Sequence, residues 1–302
     1  MSVESNARML IVPAAMPGRI FNALTGTDEQ LIAKGRIDSH HRIAGHEGVE
    51  IDVWVIRTRL FGQVDDDPAP RKITRGTVVM LHPLMCGKTW FLGAGEKLAD
   101  LGYDVVLPDL RAHGKSGGQY ITWGAKEKRD VLAVMDRLVS DRVVCGRIYA
   151  VGSSMGAAVA VQYAAIEPRC LGVMAIAPPK SGREICRRIL MLNSPHAFEE
   201  ALAAACKLAD FDIDDASAET AAAQLRCPLL LIHGWWDFIV PYQHSQAIYR
   251  AARSPKKLQP QFIHGHAPEF AREGWLVKQF GSLVKLGQRE LQSDESNLPP
   301  RQ

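Results

Sequence analysis

The sequence of 302 residues has no long hydrophobic run, since no stretch approaches the eighteen or so uninterrupted apolar residues that a membrane span needs. It also has no block of like charge, because 36 lysines and arginines are mixed with 33 aspartates and glutamates, for a net charge of +3. Nucleic-acid-binding proteins usually carry a basic patch, and none is visible. We therefore expect a soluble protein with no nucleic-acid partner and no membrane span.

Cysteines are few and scattered, without C-x-x-C spacing and without a histidine cluster beside them. Neither a zinc site nor a disulfide framework is indicated, so no metal is expected and a reducing, cytoplasmic location fits best. The segment Arg8–Met16 resembles a very short signal core, but Pro13 interrupts it and no A-x-A site follows. We interpret it as a loosely packed N-terminal arm.

The apolar content of 47% is enough to form one large core. Residues 42–60 alternate partly between apolar and polar, which predicts an antiparallel strand pair. Beyond them, short apolar runs alternate with helix-like segments, as is typical of a parallel sheet buried between helices. The six runs begin at Thr77, Asp104, Arg147, Leu171, Pro228 and Gln261. Apolar residues at helical spacing over Lys126–Val139 predict a crossover helix.

Residues 180–226 interrupt this rhythm with several helical pieces and no strand between them, which predicts an inserted helical cap. Its apolar side chains either line a pocket or pack a core, and the candidates are Ile185, Ile189, Met191, Leu192, Phe198 and Leu202. We expect a single α/β domain with a mostly parallel sheet covered by helices on both faces. Its core spans about residues 42–288, and residues 289–302 form a disordered tail.

Ser154 lies between Gly152 and Gly156, after one predicted strand and before an alanine-rich helical segment. A serine that projects beyond a sheet needs a very tight strand-to-helix turn, and the two glycines remove the side chains that would collide there. A serine hydroxyl is a weak nucleophile, so it also needs a base and an acid that orients the base. Asp237 and His266 follow later predicted strands and can supply them.

The order of serine, aspartate and histidine resembles that of the α/β-hydrolase-fold serine hydrolases, which include esterases, lipases and serine peptidases. The resemblance covers about residues 42–288. It favours His266 over His264 as the base, because the Gly265-His266 pair matches the family's usual ending. His264 falls at the end of a predicted strand, where its side chain points differently.

The resemblance also implies an oxyanion hole formed by the backbone N–H groups of Leu84 and Met155. Pro83 stands where these enzymes usually have glycine, but the donor required is on the next residue. The run Asp109-Leu-Arg-Ala-His-Gly-Lys-Ser-Gly resembles a structural motif of the family. Its side chains Arg111, His113 and Ser116 are therefore interpreted as scaffold.

The activity implied is hydrolysis of a small-molecule carboxylic ester or related acyl substrate through an acyl-enzyme, without a cofactor. Amide, peptide or thioester cleavage and cofactor-free perhydrolysis use the same groups and stay open, as does a catalytically inactive binding protein. Substrate contacts are expected from Trp235, Trp236 and Phe238.

The remaining polar candidates are interpreted as structural. Asp212, Asp214 and Asp215 precede a helical segment, where capping is a simpler role than metal binding. His82 and His233 end predicted strands and are expected to bond neighbouring loops. The other histidines are expected at the surface, namely His40, His41, His46, His196 and His244.

Overall fold

The computed structural model of the protein describes residues 2–13, 26–62, 71–192, 194–262, 265–266 and 273–296. Its centre is an eight-stranded sheet in the order β1-β2-β6-β5-β7-β8-β9-β10. The strands are β1 (Ser39–Ala44), β2 (Glu50–Ile56), β5 (Thr77–Leu81), β6 (Asp104–Pro108), β7 (Ile148–Ser153), β8 (Cys170–Ile176), β9 (Leu229–Gly234) and β10 (Lys256–Gln261). Two short strands, β3 (Phe61–Gly62) and β4 (Arg71–Lys72), pair separately.

The pairing confirms the mostly parallel sheet predicted from the sequence. Strand β2 runs antiparallel to both β1 and β6, whereas the remaining neighbours are parallel. Because parallel strands end at the same edge, the loops that follow β5, β7, β8 and β9 meet on one side of the molecule. This edge carries the candidate site.

Side chains alternate between two cores, one on each face of the sheet. In β5, for example, Val79 and Leu81 belong to one core, and Val78 and Met80 belong to the other. Helices α4 (Glu127–Ser140), α5 (Met155–Ile166) and α9 (Gln243–Ala251) cover the first face. Helices α2 (Asp28–Ala33), α3 (Leu92–Asp100) and α10 (Glu273–Ser296) cover the second. The predicted crossover helix corresponds to α4.

The last strand lies earlier in the chain than the sequence predicts. The apolar run at Gln261–His264 suggested a strand there, but β10 is Lys256–Gln261, and residues 263 and 264 lie outside the described residues. Among the described residues, strand β10 pairs only with β9, so its side chains are half-buried and polar ones are tolerated. An edge position also accommodates Pro260, because proline has no N–H group to donate to a neighbouring strand. Such a strand contains polar residues, so it does not stand out as an apolar run in the sequence.

The N-terminal segment is a packed helix, so the interpretation as a loose arm is wrong. Helix α1 (Val3–Ile11) buries Ala7, Leu10 and Ile11, which are spaced at i, i+3 and i+4 and therefore share one face. The indole Nε1 of Trp123 donates to the Leu10 carbonyl oxygen at 3.0 Å. The apolar face also contacts the helices inserted between β8 and β9.

The helical pieces expected at residues 180–226 occupy the connection between β8 and β9. They are α6 (Gly182–Leu190), α7 (Pro195–Ala209), a 3₁₀ turn (Ile213–Asp215) and α8 (Ala218–Ala222). Serine side chains cap α6, α7 and α8 by accepting backbone N–H groups of the first turn. Asp212 caps the 3₁₀ turn in the same way, through the N–H of Asp214 at 2.9 Å.

The last helix continues past residue 289, where the sequence analysis begins a tail. Helix α10 extends to Ser296. Residues 289–292 are good helix formers, and the first proline of this region is Pro299, so nothing in the sequence stops the helix earlier. In the part of the chain that the structure describes, no helix is both long enough and apolar enough to cross a membrane.

The turn from β7 into α5 brings two backbone segments unusually close together. A Cβ atom on Gly156 would overlap the carbonyl oxygen of Leu81, and one on Gly152 would overlap that of Gly156. Ser154, between the glycines, has φ = 50° and ψ = −118°, a strained conformation for a residue with a side chain. The chain therefore forms the tight turn that the glycine spacing predicts.

We predict that Gly156→Ala lowers the free energy of unfolding by about 1–3 kcal/mol, because the added methyl group overlaps backbone that cannot move aside. The control is Gly281→Ala in α10, where a Cβ meets no atom within 4 Å. That exchange should stabilise the protein by about 0.5–1 kcal/mol. Urea unfolding followed by circular dichroism measures both, and a Gly156→Ala variant as stable as the wild type would contradict the close approach.

Candidate active site

Ser154, His266 and Asp237 are brought together at the carboxyl edge of the sheet, as the sequence predicts. The Nε2 atom of His266 lies 2.9 Å from Ser154 Oγ, and its Nδ1 atom lies 2.7 Å from Asp237 Oδ2. The Asp237 side chain is fully buried, whereas the His266 side chain is 17% exposed. A hydroxyl, an imidazole and a carboxylate thus form one continuous hydrogen-bonded chain that reaches solvent at the histidine.

Asp237 accepts hydrogen bonds at both carboxylate oxygens. Oδ1 accepts the backbone N–H groups of Ile239 at 2.9 Å and Val240 at 2.8 Å. Oδ2 accepts His266 Nδ1 and also lies 3.2 Å from His233 Nε2. Burial alone would raise the pKa of Asp237, but hydrogen bonds from His233 and His266 outweigh it and hold the pKa well below its ordinary value. The carboxylate is therefore ionised at neutral pH.

His233 is a contact of Asp237 that the sequence analysis placed only against a neighbouring loop. Its side chain is fully buried at the end of β9. Nε2 lies 2.7 Å from the carbonyl oxygen of Val240, which can only accept, so this nitrogen carries a proton. Nδ1 lies 2.7 Å from Ser245 Oγ on α9. A histidine at the end of the strand, four residues before the acid, was the signal available in the sequence.

The loop after β5, which holds Leu84, is anchored by His82. Nδ1 of this histidine donates to the carbonyl oxygen of Pro83 at 2.8 Å, and Nε2 accepts the N–H of Leu110 at 3.0 Å. Complete burial lowers the pKa of His82 to about 3, so the ring stays neutral and can accept at one nitrogen. Pro83 is compatible with this loop because its carbonyl group, not an N–H, makes the contact.

His113 holds the same loop from the other side. Its Nδ1 lies 3.0 Å from the carbonyl oxygen of Arg111, so the proton is on Nδ1 and Nε2 accepts the N–H of Met85 at 3.2 Å. Met85 has φ = 63°. Leu84 thus lies between two residues whose backbones are fixed. The scaffold role predicted for His113 is consistent with these contacts.

Met155 is the first residue of α5, directly after Ser154. Backbone N–H groups in the first turn of a helix have no acceptor within the helix, so the N–H of Met155 is available to a ligand. The close approach of Gly156 to Leu81 and His82 places the start of α5 beside the loop that carries Leu84. Leu84 and Met155 therefore stay the predicted oxyanion donors.

Comparison with known proteins gives a consistent result. The family model described as serine aminopeptidase, S33, matches residues 72–204. The esterase Pf2001 of Pyrococcus furiosus superposes with a TM-score of 0.64 at 21% identity, over 85% of this chain and 95% of that one. This chain has the α/β-hydrolase fold.

Two further proteins similar to this chain have different descriptions. The uncharacterized protein YqkD of Bacillus subtilis is 25% identical over 267 residues, which are 82% of this chain and 83% of that protein. A puromycin-hydrolyzing peptidase of Mycobacterium tuberculosis superposes with a TM-score of 0.62 at 18% identity, over 83% of this chain and 39% of that one. The fold is thus similar to that of both esterases and peptidases.

A buried lysine that the sequence did not single out ties the Leu84 loop to the sheet. Lys88 is 4% exposed, and its Nζ atom lies 2.5 Å from Asp52 Oδ1 and 2.6 Å from Asp109 Oδ2. Its backbone N–H donates to Asp109 Oδ1 at 2.7 Å. Burial would raise the pKa of Asp109, but the Lys88 ammonium more than compensates and holds that pKa below its ordinary value. One ammonium group therefore contacts two buried carboxylates, and Asp52 is also contacted by His40 Nε2 at 2.7 Å and Arg42 Nε at 3.7 Å.

The aromatic side chains predicted to contact a substrate are exposed beside the loop that holds Asp237. Trp235, Trp236 and Phe238 are 47%, 60% and 76% exposed. The Trp235 ring lies 5.0 Å from that of Tyr242 and 5.6 Å from that of Phe262, so it belongs to an aromatic cluster. These side chains are available to a bound molecule.

Phe198 does not line a pocket, contrary to one of the two interpretations offered for the cap. It is only 1% exposed, and the guanidinium of Arg187 covers its ring at 4.4 Å from the centroid. Leu202, one helical turn further along α7, is also buried. Both side chains pack into the core on the first face of the sheet, because they lie on the inner face of α7.

We predict that Lys88→Met destabilises the protein by about 3–5 kcal/mol at neutral pH, because the buried carboxylate of Asp109 loses the cation that contacts it. Asp109 has a depressed pKa in the folded wild type, so its stabilising contribution is present above the unfolded pKa of about 3.9 and is lost as pH falls through the folded pKa. The variant lacks this contribution. Its deficit, measured by urea unfolding, should therefore shrink as the pH is lowered.

The matched control for this prediction is Lys97→Met. Lys97 pairs with Glu273 at 3.6 Å, and both side chains are 49% exposed. Loss of such a surface pair should cost at most about 1 kcal/mol. Equal deficits in the two variants, or a Lys88→Met deficit that does not change with pH, would contradict the role of Lys88.

Proposed function

We propose that this protein is a serine hydrolase that cleaves a small-molecule carboxylic ester through an acyl-enzyme. The observation that carries the proposal is the hydrogen-bonded chain from Ser154 Oγ through the His266 ring to Asp237 Oδ2. This order of groups lets the imidazole remove the serine proton while the carboxylate stabilises the imidazolium that forms. Its position at the carboxyl edge of a parallel sheet is also where ligands bind in such folds.

In the first half of the reaction, Ser154 Oγ attacks the ester carbonyl carbon and transfers its proton to His266 Nε2. The carbonyl oxygen becomes an oxyanion, which the N–H groups of Leu84 and Met155 stabilise. The intermediate then collapses, the bond to the alcohol oxygen breaks, and His266 returns the proton to that oxygen. The alcohol leaves, and the acyl group remains on Ser154.

In the second half, a water molecule attacks the acyl carbon and gives a proton to His266. Collapse of the second intermediate releases the carboxylic acid and returns the proton to Ser154 Oγ. Asp237 stays ionised throughout, because its four donors stabilise the carboxylate. No step requires a cofactor.

Amide or peptide cleavage is the second candidate, favoured by the match to the serine aminopeptidase model and by the similarity to a puromycin-hydrolyzing peptidase. The acyl chemistry is the same, and only the leaving group differs. Comparing kcat/KM for p-nitrophenyl esters and for aminoacyl anilides decides between the two. A preference for anilides would overturn the ester proposal while keeping the roles of the three residues.

We predict that Ser154→Ala lowers kcat by about 10⁴- to 10⁶-fold and abolishes labelling by a fluorophosphonate probe, because both require the hydroxyl group. Ser282→Ala, on the exposed face of α10, is the control and should retain both. A Ser154→Ala variant that keeps a tenth of wild-type activity would show that another residue is the nucleophile. Wild-type protein that is not labelled would favour an inactive binding protein.

We predict that His233→Leu lowers kcat by about 10- to 100-fold with little change in KM, because Asp237 loses a donor to its charged form. His233→Gln retains an N–H donor and should lose less. His196→Leu, at an exposed position of α7, is the control. Steady-state kinetics on a p-nitrophenyl ester measures all three, and wild-type kcat in His233→Leu would exclude a role for this histidine in positioning the acid.

A further inference from the structure

A cavity of about 560 Å³ lies between helix α6 of the cap and the loop that carries Asp237. Its size is within the range of small-molecule sites, which is about 300–1,000 Å³. Apolar side chains from both sides form most of its wall, namely Ile185, Ile189, Met191, Phe238 and Ile239. Three of the residues that the sequence singled out, Ile185, Ile189 and Met191, are thus found on this wall.

The floor of the cavity carries one neutral polar group, His244 on α9. The sequence predicts a surface position for His244, but this residue is only 9% exposed. Its side of α9 faces the backbone at Lys180, just before α6. Its Nδ1 atom accepts the backbone N–H of Lys180 at 3.0 Å. Burial, reinforced by the nearby Lys180 cation, lowers the pKa of His244 to about 4. The ring is therefore neutral, with its proton on Nε2.

The Nε2–H group of His244 has no hydrogen-bond acceptor among the residues that the structure describes. Solvent reaches this nitrogen through the cavity, so a molecule that fills the cavity must accept from the donor in place of water or leave it unpaired, which is unfavourable. Because the imidazole forms part of the cavity wall, a molecule in the cavity can supply the missing acceptor.

The charged side chains of the cavity wall are already engaged or lie in solvent. Arg188 donates to the backbone carbonyl oxygens of Phe238 and, at 2.8 Å, of Ile239. Arg187 pairs with Glu199 at 3.3 Å and covers a buried ring. Glu184 is exposed, so solvent screens its charge. Recognition inside the cavity therefore comes from apolar walls and a single neutral donor.

We propose that this cavity binds the part of the substrate remote from the scissile bond and selects an apolar group that carries an uncharged acceptor, such as a keto or ether oxygen. His244 Nε2–H donates to that oxygen. The inference rests on the proposed ester hydrolysis at Ser154. Phe238 directly follows Asp237 in the chain, so a group held in the cavity lies against the loop that supplies the acid.

The test uses two series of esters. In one, a single keto carbon is moved stepwise along the acyl chain of p-nitrophenyl esters, and in the other it is moved along the alcohol of acetate esters. Each compound is compared with its hydrocarbon parent as a ratio of kcat/KM values. For the keto position that reaches His244, we expect kcat/KM of the keto ester to be about 2- to 10-fold higher than that of its hydrocarbon parent. In His244→Phe the two values should be equal.

His196→Phe is the matched control, since it makes the same exchange at an exposed site of the cap and should leave the ratio unchanged. Thermal unfolding of each variant shows whether it is folded. If His244→Phe does not fold, Ile189→Trp provides the second test, because it fills the cavity and should reduce kcat/KM for the favoured keto ester more than for the acetate of the same leaving group.

The outcomes separate this inference from the function on which it rests. If the esters are hydrolysed but the ratio is one at every keto position, the proposed role of the cavity is wrong and ester hydrolysis stands. The same conclusion follows if a raised ratio persists in His244→Phe. Absence of hydrolysis of every ester in both series overturns ester hydrolysis and the cavity proposal together.

Discussion

The close approach of helix α5 to strand β5 is the constraint on which the rest of the site depends. At Gly156 the helix backbone lies so near the carbonyl oxygens of Leu81 and His82 that no side chain fits between them. This contact is between main-chain atoms, and it forces the preceding turn into the conformation with φ = 50° at Ser154. The strain, of order 1–3 kcal/mol, is sustained because two buried elements hold the turn from both sides. The same contact sets the start of α5 beside the loop that holds Leu84.

Charged and hydrogen-bonding partners near this turn fix the protonation states of the other polar side chains before any molecule binds. Asp237 and Asp109 are both buried, yet each stays ionised because donors or a cation surround it. His82 and His113 are neutral because burial lowers their pKa values, and each therefore presents one acceptor to a backbone N–H of the loop region. Groups whose protonation and orientation are settled before substrate arrives need little reorganisation during the reaction, which is the main advantage of a preorganised site.

The parts of the site that depend on a few neighbouring residues could be predicted from the sequence. Glycines around Ser154, a strand end before Asp237 and a glycine before His266 are features of a few neighbouring residues, and the sheet then brought them together. Lys88 and His244 were missed because their roles depend on partners far away in the chain, which no local pattern reveals. Strand β10 was misplaced for a related reason, since an edge strand need not be apolar.

Helix α1 has a mechanical consequence for the inserted helices. It contacts α6 and α7, and it is bonded to the core through Leu10 and Ile11, whose carbonyl oxygens accept from Trp123 Nε1 and from the N–H of Ile121. Swinging the cap away as a lid would expose both apolar side chains, at about 1.5–3 kcal/mol each. Fewer than about one molecule in a hundred would then be open at any moment. The N-terminal helix thus holds the inserted helices against the core of the sheet.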